Sequence, residues 1–194
     1  MTEIIIATGN RNKVKEFARI LTPLGYQVRS QKEVCPGLDV EETGTTFAEN
    51  ARLKAQAVFQ KTGLSAIADD SGLCVDALEG RPGVYSARYG GEDTPYPAKM
   101  SALLQELEGV PGERRTAHFV SAICCVMGDG DIIECEGACE GVIGFAPAGA
   151  GGFGYDPLFF VDGVSFAQLP GEKKDQISHR GQALRKFCDI MKSR

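Results

Sequence analysis

The stretch "RRTAHFVSAICCVM" at 114–127 runs into "GDGD" at 128–131 and then into a second apolar-rich run from Ile132 to Gly141. This block constrains the fold more than any other. Branched and aromatic residues with partial alternation read as strands. A Gly/Asp turn between two such runs reads as an antiparallel hairpin. Leu64 to Ala68 reads as a strand ahead of it, so the middle of the chain is a β-meander.

Helical patterns lie on both sides of that block. Glu3 to Ala7 reads as a short buried strand, Asn12 to Leu24 as an amphipathic helix and Tyr26 to Arg29 as a second strand. Residues 30–45 read as loop. Thr46 to Thr62 is the clearest helix: Thr46 and Glu49 form a capping box and Gly63 stops it. Phe47, Ala51, Ala55 and Val58 share one face of it, and Lys54 falls on that face. A lysine there either snorkels past the core or reaches into a cleft. Residues 80–97 read as a long loop, 97–108 as a helix and 146–157 as a glycine-rich loop. Ser178 starts a last helix running to about Lys192. Strands in the middle with helices before and after predict the α/β class, a mixed β-sheet flanked by helices on both faces.

Composition narrows the function. At 194 residues and 43% hydrophobic, the chain fits one domain, or at most two lobes around a cleft. A formal net charge of −5 argues against non-specific nucleic-acid binding. No stretch approaches the roughly 20 apolar residues of a membrane span, and Ile4 to Ala7 is too short for a signal segment. The seven cysteines include no C-x-x-C and there are only two histidines, so a zinc site is disfavoured. They read as free thiols in a reducing cytoplasm.

Several short clusters can carry chemistry. Thr8-Gly9-Asn10 follows a strand and opens a helix, with Lys13 one turn in. The free amides and partial positive charge of a helix start favour an anion, and the lysine adds a full charge. An ordinary capping turn explains the same residues. "ADDSGL" puts Asp69 and Asp70 at a strand end, followed by Ser71. If the strand continues, the two acids point to opposite faces. An Asx-turn is the alternative. Mg²⁺ takes one or two protein carboxylates together with waters and phosphate oxygens. Glu41 and Glu42 are the second acidic source, or a solvated loop.

"GGFGYDP" places Phe153, Gly154, Tyr155 and Asp156 where an aromatic can stack on a base and an acid can accept from ring N–H groups. The alternative is that these aromatics pack inward. In "EKKDQISHRG", Lys173 and Lys174 have the charge for phosphate, and Ser178 is a natural N-cap. His179 and Arg180 then fall in a first helical turn, where cations are disfavoured. Something other than helix stability selects them there, and a guanidinium fork suits a purine carbonyl.

In order, "TGNRNK", "EETGTTFAENARLKA", "AIADDSGL", "PGVYSARY", "GGFGYDPLF" and "ISHRGQAL" resemble the inosine triphosphate pyrophosphatase family, from Ile4 to about Lys186. The resemblance implies an elongated mixed sheet in one two-lobed domain over 1–194, with a central cleft, and a homodimer. It implies Mg²⁺-dependent hydrolysis of ITP, dITP and XTP to the monophosphate and pyrophosphate. Position by position, Thr8, Gly9, Asn10, Lys13 and Lys54 would bind phosphate, and Ser71 would contact substrate. Asp70 would be the catalytic carboxylate and a metal ligand, with Glu42 the second ligand. Phe153, Gly154, Tyr155, Asp156, Lys174, His179 and Arg180 would form the base pocket. A non-catalytic nucleotide sensor with the same pocket is the rival reading. A dinucleotide oxidoreductase suggested by "GAGGFG" fails, because no helix follows that glycine run.

Overall fold

The computed structural model describes residues 2–194. Seven strands form one sheet in the order β2-β1-β3-β4-β5-β6-β7. β1 (Thr2–Ile6) lies parallel to β2 (Tyr26–Ser30) and to β3 (Ala66–Val75). From β3 onward the sheet is antiparallel through β4 (Thr116–Val126), β5 (Ile132–Ile143), β6 (Phe159–Val161) and β7 (Val164–Ser165). The mixed sheet and the central meander are as the sequence predicts.

Among the helices, α1 (Arg11–Leu21) ends earlier than the apolar pattern suggests. Thr22–Leu24 tightens into a 3₁₀ turn holding Pro23, and Gly25 closes it with a left-handed backbone. A single turn, α2 (Gln31–Val34), stands where a loop is expected, capped reciprocally by Ser30 and Glu33. The helix α3 (Phe47–Thr62) has the predicted capping box and a left-handed Gly63 at its C-cap, φ 67°. α4 spans Tyr96–Glu106, α5 Gly171–Ile177 and α6 His179–Lys192.

Alternation along β4 divides the core. Ile123 and Cys125 pack with Phe17 of α1 and with Leu184 and Phe187 of α6 on one face. Cys124 and Val126 pack with Ala51, Ala55 and Val58 of α3 on the other. The neighbouring cysteines therefore face opposite ways, and all seven are free thiols. Burial pushes the Cys124 thiol up to about 12. Farther along the sheet a second core gathers Leu73, Leu103, Phe119, Phe159 and Phe166.

The main departure from the sequence reading is β3. It does not stop at Ala68 but runs through both aspartates to Val75, paired with β4 along its whole length. β1 pairs with β3 only at Ala66 and Ile67. Beyond that point β3 loses its parallel neighbour, and the gap outside the carboxyl end of β1 is where a ligand enters an open α/β sheet.

Candidate functional site

A cavity of about 320 Å³ opens in that gap. It is lined by Thr8, Gly9, Asn10 and Lys13 from the β1–α1 turn, by Glu42 and Lys54, and by Asp70 and Ser71 of β3. Phe153, Gly154, Tyr155, Asp156, Lys174, His179 and Arg180 complete the wall. Thus segments far apart in sequence share one cavity. Of the sequence candidates, Asp69, Glu41 and Lys173 are not part of the lining.

Because β3 continues as a strand, Asp69 and Asp70 leave it on opposite sides. Asp70 turns toward α3. Its Oδ2 accepts from Asn50 Nδ2 at 3.3 Å and its Oδ1 from Lys54 Nζ at 3.2 Å. The same ammonium lies 2.5 Å from Glu42 Oε1. Lys54 thus reaches the cleft, bridging two carboxylates. Burial draws its pKa down, but Asp70 and Glu42 outweigh burial and leave it raised. Burial raises the Asp70 carboxyl, and the nearby Lys54 and Lys13 do not fully reverse that.

Asp69 turns toward α6. Its Oδ2 accepts from Arg180 Nε at 3.0 Å, from Arg180 Nη2 at 2.8 Å and from Ser121 Oγ at 3.3 Å. Lys13 Nζ lies 3.2 Å from Oδ1, close enough to pair in charge but not aligned as a hydrogen bond. Burial alone would raise this carboxyl; Arg180 and then Lys13 override it and hold it far below the carboxylate range.

Glu16 joins the cluster from α1, and the sequence reading missed it. Its two oxygens take Arg180 Nη1 on one side and Lys174 Nζ on the other, the latter at 2.9 Å. Lys174 also donates to Asp156 Oδ2 at 2.6 Å and sits 4.8 Å from the Phe153 ring centroid. Asp156 Oδ2 accepts the Phe153 amide at 2.8 Å as well, which ties the glycine loop to the same network. The signal for Glu16 was its spacing: three residues after Lys13, it lies on the same side of α1 beside buried Phe17.

Two predicted roles change in detail. Arg180 was expected to point its fork at a ligand, but it donates to Asp69, Glu16 and Ser71 Oγ, the last at 2.8 Å. Most of its donors are thus committed within the protein. At the β1–α1 turn, Asn10 Oδ1 accepts the amides of Asn12 at 2.9 Å and Lys13 at 3.2 Å. The capping turn and a phosphate cradle coexist there, with the cap using two of the free amides.

Tyr155 packs inward, as the alternative had it. It is buried, donates its hydroxyl to the Ser86 carbonyl at 2.9 Å and meets Tyr96 edge-on at 5.4 Å. Phe153 is only half-buried. His179 is buried and stacks on Phe119 at 4.7 Å, with Nδ1 lacking any hydrogen-bond partner among the described residues. Burial, reinforced by Arg180 and Lys174, lowers its pKa, so the imidazole is neutral. Lys173 is exposed and does not line the cavity.

No cluster of three or more His, Cys, Asp or Glu stands together as a metal cage among the described residues. Glu42 and Asp70 offer a pair of hard oxygen ligands bracketing one cation, Lys54 Nζ, at the cavity wall. That donor set fits Mg²⁺, which takes few protein carboxylates when a phosphate ligand supplies the rest. No helix among the described residues is long and apolar enough to cross a membrane.

Comparison with known proteins agrees with the sequence resemblance. A dITP/XTP pyrophosphatase of Desulforamulus reducens is 52% identical, over 97% of this chain and 95% of that protein. A dITP/XTP pyrophosphatase of Escherichia coli O157:H7 is 47% identical over all of both chains. The solved structure of the Staphylococcus aureus Ham1 protein superposes with a TM-score of 0.87, at 41% identity and 99% coverage of each chain. A HAM1 protein from Coxiella burnetii gives a TM-score of 0.88 at 38% identity, over the whole of both. The sequence model of the Ham1 family matches residues 4–190, and the chain belongs to that family.

Proposed function

We propose that the chain hydrolyses the non-standard purine nucleoside triphosphates ITP, dITP and XTP to the monophosphate and pyrophosphate. The relatives named dITP/XTP pyrophosphatase support the reaction class. The observation that carries it here is the division of one cavity into two chemistries. Asp70, Glu42, Lys54 and Lys13 stand at one end, and Phe153, Lys174 and neutral His179 at the other.

In this reading Thr8, Gly9, Asn10, Lys13 and Lys54 hold the triphosphate. Asp70, whose carboxyl burial raises, accepts the proton of the attacking water at the α-phosphorus. Lys13 and Lys54 offset the charge on the departing pyrophosphate. Glu42 and Asp70 would hold Mg²⁺, which when bound supplies charge neutralisation on phosphate oxygens. His179 lines the cavity, and its neutral imidazole carries one ring N–H that can donate to the purine 6-carbonyl. Adenine would leave that buried donor unpaired, which in a closed site costs on the order of 10⁴-fold. Asp156, fixed by Lys174 and the Phe153 amide, helps set the base pocket, and Arg180 holds Asp69 and Ser71 in place. A homodimer and a cytoplasmic location complete the proposal.

The test is turnover of ITP, dITP, XTP, ATP and GTP side by side, with pyrophosphate and orthophosphate measured separately. The reading expects pyrophosphate release from the first three. Nucleotide binding with no product from any of the five would favour the sensor.

A further inference from the structure

Lys99 lies on α4, outside both charge clusters, yet it is only 2% exposed. Its ammonium donates to the main-chain carbonyl of Ala87 and stands 5.2 Å from the Tyr96 ring centroid. Among the described residues it has no carboxylate partner. Burying an ammonium without a counter-ion is costly, and a methionine of similar length would fill the space without that cost. The carbonyl it grips therefore marks what the charge is for.

Ala87 belongs to the 3₁₀ turn Gly83–Arg88, and Val84, Ser86 and Ala87 of this turn face the cavity. The preceding carbonyl, that of Ser86, is held by the buried Tyr155 hydroxyl at 2.9 Å. Ser86 Oγ accepts the Leu73 amide at 2.9 Å and donates to the Gly83 carbonyl at 2.6 Å, which fastens the turn to β3. The approach is so close that a Cβ on Gly72 would meet the Gly83 oxygen at 2.3 Å. Two successive carbonyls of one cavity wall are thus gripped by buried donors from different elements, on a turn that packs against β3 at Gly72, two residues beyond Asp70.

We propose that Lys99 is a positioning residue that pre-sets the 83–88 wall of the nucleotide cavity through the Ala87 carbonyl. It touches neither substrate nor reacting atoms. The inference rests on the nucleotide-hydrolysis reading above. Loss of a preformed wall weakens ground-state and transition-state binding alike, so it raises KM and spares kcat.

The experiment compares Lys99→Met with Lys99→Gln, which keeps an N–H donor without the charge. Each is assayed for ITP kinetics and for amide hydrogen exchange over 83–88. Lys99→Met should raise KM on the order of tenfold, the loss of one strong hydrogen bond, with kcat held within about twofold. Exchange over 83–88 should quicken while that of α3 does not. Lys99→Gln should recover most of both. The proposal is overturned by a Met variant with wild-type KM and exchange, by a fall in kcat in place of a rise in KM, or by a Gln variant as impaired as Met. Should the Met variant not fold, the Gln variant decides: near wild-type KM and slow exchange uphold the proposal, and a tenfold rise in KM overturns it. If wild-type protein hydrolyses no purine triphosphate, it is the functional reading that fails, and exchange over 83–88 still decides whether Lys99 holds the turn.

Discussion

Arg180 meets Asp69 through two nitrogens on a single carboxylate oxygen, Nε at 3.0 Å and Nη2 at 2.8 Å, and neither side chain reaches solvent. Removing one partner of a buried pair leaves the other charge unpaired, which costs about 3–5 kcal/mol. Arg180→Ala takes a partner from two buried carboxylates at once, leaving Asp69 only Lys13 and Glu16 only Lys174. Urea unfolding should show a loss of that size. A variant within about 0.5 kcal/mol of wild type would mean that the pair is solvated in solution.

Glu16 gives a pH signature. Burial would raise its carboxyl, but Arg180 and Lys174 hold it below its ordinary value of 4.5. A folded-state pKa below the unfolded one stabilises above the unfolded value, and this contribution is lost as pH falls. Glu16→Gln should therefore lower the melting temperature at neutral pH, and the gap to wild type should narrow as pH drops below 4.5. Melting curves from pH 3 to 7 check this. A gap that stays constant, or widens toward acid, would contradict it.

Lys54→Met should cost both turnover and stability, because it also leaves Asp70 and Glu42 facing each other without their shared cation. In the proposed reaction the ammonium would offset charge that develops on the leaving phosphates, and loss of one such donor typically costs about 10²–10³ in kcat. Steady-state kinetics with ITP, paired with a melting curve, separates the two effects. Unchanged kcat would reduce Lys54 to a strut between Glu42 and Asp70.

Gly137→Ala tests how α6 is set on the sheet. A Cβ there would meet the His179 carbonyl oxygen at 2.3 Å and the Ala183 nitrogen at 2.5 Å, both main-chain atoms that cannot rotate away. Lifting the start of α6 moves His179 and Arg180 together. Overpacking of this kind costs about 3 kcal/mol. Chemical denaturation measures that loss, and ITP turnover should fall with it. A fully stable, fully active variant would show that α6 is free to shift.

What the sequence made legible follows from how local each signal is. The capping box at Thr46 and Glu49 and the stop at Gly63 are satisfied within α3 itself, so they read correctly. The end of β3 did not. Asp69, Asp70, Ser71 and Gly72 look like a turn locally, but the partner strand supplies hydrogen bonds to them from Ala122 and its neighbours, and pairing overrides propensity. The cavity residues came through because short motifs carried them. Glu16 and Lys99 did not, since a charged residue on a helix looks solvent-facing until the elements packed over it are known. Arg180 was read as facing a ligand for the same reason: the carboxylates that occupy it come from β3 and α1, more than a hundred residues away.

The claim on which all else depends is that Asp70 is the reacting carboxylate, and Asp70→Asn tests it most directly. The variant keeps the shape of the cavity and can still accept from Lys54, but it cannot take a proton from water. Single-turnover assays with ITP, together with a binding titration, should show nucleotide bound about as tightly as by wild type while pyrophosphate release falls by about 10³ or more. An Asp70→Asn protein that binds ITP and releases pyrophosphate at close to the wild-type rate would contradict the account.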